Sequence, residues 1–196
     1  MVEKDLSPAR VEAFSDGVIA IIITIMVLEL HVPADPTAHG LALLWPTLVS
    51  YALSYVLVAI YWVNHHHLFS VVRKVDVGML WTNIALLFFL SLMPFFTAWV
   101  GQSRMASFPV LCYATTMLLA GASFMLLQRC ITLSPGVTDA DMRRLGRSAD
   151  RKVQVALTLD VLAMIAAYWH PKFSMVLIVC VAASYLVPGS WIESQG

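Results

Sequence analysis

Six stretches of this 196-residue chain are apolar over roughly the thickness of a bilayer, and that repeated length constrains the fold more than any single residue does. A hydrocarbon core of about 30 Å takes roughly 20 apolar residues of helix, with a range of about 17–25. The runs cover about 11–30, 41–63, 77–100, 108–130, 153–170 and 173–190. No water at that depth satisfies backbone N–H and C=O groups, so each run has to close its hydrogen bonds internally as helix. Only 12% of residues are charged, 60% are hydrophobic and the formal net charge is zero, whereas soluble domains carry about 25% charged residues. A soluble domain of this length has no room to hide so much apolar sequence. A soluble enzyme, a basic nucleic-acid binder and a disordered chain are excluded. The expectation is an all-α, polytopic membrane protein with six transmembrane helices forming one domain over residues 1–196.

The breaks between runs carry turn chemistry. His31 to Gly40 holds Pro33, Pro36 and Gly40, Gly101 to Ser107 is polar, and His170-Pro171-Lys172 makes a tight reversal. The polar segment 132–152 is long enough for a short surface helix and too small for a domain. Pro46 and Pro94 fall inside runs, which membrane helices tolerate. Lys4, Arg10, Arg73, Lys74, Arg129, Arg143, Arg144, Arg147, Arg151 and Lys152 all fall on one side of the six-span layout, leaving only Arg104 and Lys172 on the other. By the positive-inside rule both termini are cytoplasmic, with the plasma membrane as the expected location. The first run lacks a basic n-region of the usual kind and continues to Leu30, so it reads as a retained helix rather than a cleaved signal. Cys112, Cys130 and Cys180 are odd in number and lie within or beside apolar runs, which argues for buried thiols rather than disulfides.

With charge so scarce, the polar residues at membrane depth carry the functional information. Arg10, Glu12 and Asp16 open span 1, Glu29 ends it, Asp160 lies in span 5, and His65, His66 and His67 close span 2 after Trp62 and Asn64. At 100° per residue, Gly17, Ile21, Thr24, Ile25 and Leu28 fall on one stripe of span 1, and Phe14 and Arg10 extend it toward the cytoplasm. Asp16 lies about 140° from Ile21, so one helix cannot aim both at the same target. If the stripe faces a pathway, Asp16 faces protein neighbours and needs a partner from another helix. The span 2 histidines lie at the matching depth, and Trp62, His65, His66 and Phe69 share a face.

Plainer readings stand beside these. An aliphatic stripe also serves as packing or lipid surface, and Asp16 also suits a helix N-cap. Three adjacent histidines cannot converge on one metal without outside ligands, and no zinc motif accompanies them. Asp160 suits an interhelical hydrogen bond better than a proton relay, and Glu29 and His31 suit the outer interface. No hydrolase elbow, nucleotide loop, Thr-Val-Gly-Tyr-Gly filter or voltage-sensor arginine repeat is present.

The segment Arg10-Val-Glu-Ala-Phe14-Ser15-Asp16-Gly17-Val18-Ile19-Ala20-Ile21 resembles the signature of the FSDG-motif potassium channels, which comprise the endosomal/lysosomal potassium channel of animals and its single-repeat bacterial homologues. Tyr61-Trp62-Val63-Asn64-His65-His66 and Leu90-Ser91-Leu92-Met93-Pro94-Phe95-Phe96-Thr97-Ala98 extend the likeness, and the six-span layout fits it. Ile19 departs from the Phe of many relatives. The resemblance implies a potassium-selective channel with a pore lined by the first helix of each repeat, so one repeat per chain implies a homotetramer. It places a hydrophobic constriction at Ile21, a hydroxyl at Thr24, and further pore positions at Ile25 and Leu28. It also implies a polar network beside the pore, carried by Arg10, Asp16 and either His65 or His66, with His66 preferred; Phe14, Ser15 and Gly17 complete the motif. The permeant potassium ion is the expected ligand, with no cofactor, no other metal, no nucleic acid and no enzymatic activity. The competing reading is a small-molecule transporter, either proton-coupled through Asp16, Asp160 and the histidines or substrate-capturing.

Overall fold

The computed structural model describes residues 7–134, 137–138 and 148–186, and every regular element among them is helical. In chain order these are α1 (Pro8–Leu28), α2 (Ala38–Leu43), α3 (Trp45–Phe69), α4 (Val77–Ser91), α5 (Met93–Gln102), α6 (Ser107–Thr132), α7 (Ser148–Trp169) and α8 (Pro171–Leu186). Among the described residues, five stretches are long and apolar enough to cross a bilayer: α1, α3, α4 with α5, α6 and α7. The sixth, α8, has 16 residues and rises only about 24 Å. The expected end of span 6, at 187–190, lies outside the described residues, as does most of the polar 132–152 segment.

The helix starts have local causes. Ser7 is the N-cap residue of α1 and Pro8 its first residue, a position where the missing N–H costs nothing. Asp16 therefore lies two turns inside the helix, which removes its reading as an N-cap. Asp76 caps α4 by accepting from the Met79 N–H at 2.8 Å. Thr37 and Asp35 organise the turn into α2 through a 2.8 Å hydroxyl–carboxylate bond. The two membrane prolines are not interior to regular helix as expected: Pro46 and Pro94 stand in the first turns of α3 and α5, just after Leu44 and Leu92. There the lost donor is an orphan of the helix end, and Leu92 O still accepts from Phe96 N at 3.2 Å, so α4 and α5 form one kinked span.

α6 packs on α4 and α7, α7 packs on α8, and α3 packs on α5. α1 leans on α3, α4 and α5. The approach of α3 to α5 is close enough that a Cβ at Gly101 would stand 2.6 Å from Thr47 Cα. Within the core, Tyr113 of α6, Ser54 of α3 and Thr97 of α5 form a buried hydroxyl chain, each link 2.8 Å. This chain had no signal in the sequence, since three isolated hydroxyl residues on three helices share no spacing. The cysteines depart from expectation. Cys112 and Cys130 are half-buried, and Cys180 faces outward from α8. Facing lipid rather than water, a thiol has no reason to be buried in protein.

Candidate functional site

Only one side of α1 is covered. Val11, Ser15, Ile19, Ile22 and Met26, spaced four, four, three and four apart, are buried. The opposite side carries Phe14 at 61% exposure, Ile21 at 58%, Ile25 at 41% and Leu28 at 77%. Gly17, Thr24 and Arg10 are exposed with them. The stripe picked out by helical geometry is thus the uncovered face of the helix. Within the apolar stretch of α1, 28% of residues are buried, as in α7 and near the 33% of α3, against 50% for the kinked α4–α5 span and for α6. An open groove of about 380 Å3 runs beside this face, between Val18, Ile21, Ile22 and Ile25 of α1 and Ser91, Pro94 and Phe95 of the kinked span.

The Thr24 hydroxyl donates to its own helix, to the Ile21 carbonyl at 2.8 Å. With the proton committed there, the oxygen presents lone pairs outward, the orientation a passing cation needs. Just beyond the C-terminal end of the stripe, His31 Nδ1 lies 2.9 Å from the Glu29 carbonyl oxygen, with His31 exposed and Glu29 half-buried.

The covered side of α1 carries the polar support. Trp62 Nε1 of α3 donates to Asp16 Oδ1 at 2.9 Å. His66 Nδ1 lies 2.8 Å from Glu12 Oε1. His65, fully buried, reaches Asn83 Oδ1 of α4 at 2.8 Å, and Asn83 Nδ2 donates to Ser15 Oγ at 2.9 Å. The Ser15 hydroxyl in turn donates to the Val11 carbonyl at 2.9 Å, closing a chain from α3 through α4 into the backbone of α1. Two ring stacks rigidify the same end, His65 on Phe69 at 4.4 Å and Trp62 on His66 at 6.3 Å.

This corrects the expected network in three places. Asp16 does find its partner on another helix, but the partner is Trp62. His66 stands one turn further along α3 and meets Glu12, one turn nearer the start of α1, because the two helices run antiparallel. Arg10 is exposed and makes no side-chain hydrogen bond among the described residues. Asn83 and Trp62, which connect the network, were not among the expected site residues. Trp62 shares the His66 face and was findable by its spacing, whereas Asn83 is a lone amide in an apolar run. No group of three His, Cys, Asp or Glu side chains suited to a metal occurs among the described residues. Asp160 departs from its expected role: Oδ1 is buried without a hydrogen-bond partner.

Comparison with known proteins places this geometry. The model of the endosomal/lysosomal potassium channel TMEM175 family matches residues 10–94, which hold α1, the network and the kink at Pro94. A protein of Chryseobacterium named potassium channel HX13_20290 is 37% identical over 192 residues, covering 97% of this chain and 98% of that protein. The human protein named endosomal/lysosomal proton channel TMEM175 is 31% identical over 159 residues, covering 69% of this chain and 31% of its own length. The crystal structure of a lysosomal potassium-selective channel TMEM175 homologue from Chamaesiphon minutus superposes with a TM-score of 0.81 at 26% identity, over 91% of this chain and 96% of that one. With identity sustained across nearly the whole of a curated relative and a shared arrangement of membrane helices, this multi-pass membrane protein belongs to the endosomal/lysosomal potassium channel TMEM175 family.

Proposed function

We propose that the protein is a potassium-selective channel in which four copies enclose a pore lined by the uncovered face of α1. The observation that carries the reading is that face: an aliphatic stripe holding one hydroxyl, left open by its own subunit on a helix whose other side is tied down by three hydrogen-bonded side-chain contacts. The Chryseobacterium and Chamaesiphon proteins are named as potassium channels, which supports the same assignment. The chain acts as one domain, with α1 lining the pore and the remaining helices holding it. The groove beside Pro94 and Phe95 takes the neighbouring subunit. Both termini lie in the cytoplasm, and the protein sits in the plasma membrane.

In this assembly four Ile21 side chains form the narrowest ring, with Thr24, Ile25 and Leu28 continuing toward the outer mouth. Ile21 offers no ligand, so an ion crosses that ring partly dehydrated, and such constrictions gate by dewetting. Potassium surrenders water more readily than sodium, and the Thr24 oxygen, facing outward as an acceptor, replaces part of what is lost. Selectivity of this origin is modest. Asp16, Trp62, Glu12, His66, Ser15, Asn83 and His65 fix the rotation of α1 about its axis and so decide what the pore sees. Gly17 and Phe14 occupy the cytoplasmic entry of the same stripe.

The name of the human relative raises a second reading, proton conduction. No side chain of the stripe from Phe14 to Leu28 titrates, which favours the metal ion. Flux from proteoliposomes tests both. We expect fast, non-saturating potassium efflux, slower for sodium, that persists with no pH gradient. Saturable flux driven only by a pH gradient would establish a coupled carrier instead, and proton current without potassium current would establish the second reading.

A further inference from the structure

We propose that each subunit holds a second cation site, away from α1, in the cavity between α3, α6, α7 and α8, where Asp160 takes one small monovalent cation. Asp160 is 2% exposed, and its Oδ1 has no hydrogen-bond partner among the described residues. Tyr61 of α3 and Tyr185 of α8 line the same cavity. No hydrogen bond joins the hydroxyl of either tyrosine to another described residue. The three side chains line one cavity without hydrogen bonding to one another. Where a Cβ on Gly121 would stand, Leu157 Cδ2 is 3.0 Å away, Tyr61 Oη 3.4 Å and Asp160 Oδ2 3.5 Å. The absent side chain at Gly121 leaves both oxygens free to face the cavity beside the bare helix backbone.

The chemistry of that body follows from the lining. A buried carboxylate in an apolar surround stays charged only beside an opposite charge or hydrogen-bond donors, and otherwise takes up a proton. Besides Asp160 the cavity is lined by two phenols, the Asn64 amide and apolar side chains, with no cationic group among them. Lys152 stands at the mouth of an adjoining cavity on the Arg129 side of the bundle, about 12 Å of helix rise from Asp160. One carboxylate with neutral oxygens is a poor match for a divalent ion, which gathers six or more oxygens and usually several charges. The cavity measures about 30 Å3, room for a monovalent ion with a water and too small for an organic amine. Access is from the cytoplasmic end, because the adjoining cavity shares Asn64, Phe124, Val153 and Tyr185 with this one and adds His67 and Lys152. The ion that enters is an alkali or ammonium cation of the cytoplasm. The site bridges α7 and α8 to α3, and its occupancy ties the outer helices to the helix that positions α1.

Rubidium is the probe. Anomalous diffraction from crystals of the full chain in rubidium chloride is expected to show a peak beside the Asp160 carboxylate in every subunit, off any symmetry axis relating the subunits. Asp160→Asn removes the charge, and Gly121→Ala puts a methyl against the Tyr61 and Asp160 oxygens while keeping the carboxylate; both are expected to abolish the peak. In solution, rubidium chloride raises the melting temperature of the wild type above that in choline chloride at equal ionic strength, and both variants lose that part of the rise. If Asp160→Asn fails to fold, Gly121→Ala carries the comparison alone. An empty wild-type cavity, or a peak that survives both substitutions, overturns the proposal. Peaks on the axis only would uphold the pore and overturn this site, whereas peaks in the cavity without potassium flux would do the reverse.

Discussion

Ile21 and Ile22 are neighbours of identical chemistry on opposite sides of α1. Ile22 is 3% exposed, at the covered edge of the groove beside α1; Ile21 is 58% exposed, at its open edge. The covered side holds a buried serine tied through Asn83 to His65, and its aliphatic positions repeat at helical spacing. The uncovered side holds the same kinds of aliphatic residue with one threonine. Hydropathy cannot tell these sides apart, because lipid and protein interior are equally apolar and no hydrophobic force chooses between them. What distinguishes them is where polar groups are satisfied. Asp16, Glu12 and Ser15 find partners on α3 and α4, and Thr24 finds one only in its own backbone.

The sharpest way to break that contrast is to make one substitution on each side. Ile22→Asn buries an amide without partners and removes packing, at a cost on the order of 4 kcal/mol. We expect little monodisperse protein after detergent extraction and size-exclusion chromatography. Ile21→Asn, by contrast, is expected to fold with a thermal stability within about 0.5 kcal/mol of wild type and to shift the sodium-to-potassium permeability ratio several-fold toward one in bi-ionic recordings. Equal yields of the two variants, or an unchanged reversal potential for Ile21→Asn, would collapse the two-sided picture. Asn83→Ala tests the covered side alone. It strands buried His65 and removes the donor to Ser15, costing about 2–3 kcal/mol, read as a lower melting temperature. His66→Ala sits at the exposed end of the network, where a solvent-exposed polar contact contributes under about 1 kcal/mol. Stability should barely move, and open probability should change more than selectivity. A stability loss matching that of Asn83→Ala would mean that the Glu12–His66 contact is as structural as the buried chain.

Much of this was legible in the chain. Run length marked the spans, the proline and glycine clusters marked most breaks, and the 100° rule grouped Ile21, Thr24, Ile25 and Leu28 before any neighbour was known. The placement of Pro46 and Pro94 was less legible, since a proline in an apolar run looks the same whether it interrupts a helix or opens one. The partner of Asp16 was harder still. His66 and Trp62 lie one turn apart on one face of α3, and a relative shift of α1 and α3 by one turn exchanges them.

The charge pattern, the length of the apolar runs and the residues that share a stripe of α1 are properties of a single helix, and the sequence determines them without reference to anything else. Which side of α1 is covered, which donor reaches Asp16, why Asn83 belongs to the network, and that Asp160 faces a gap instead of a partner were decided only by the tertiary structure. The reason is that a hydrogen bond between helices depends on their relative rotation and axial offset. Those are set by the close packing of side chains from several spans at once, and no periodicity within one span encodes them.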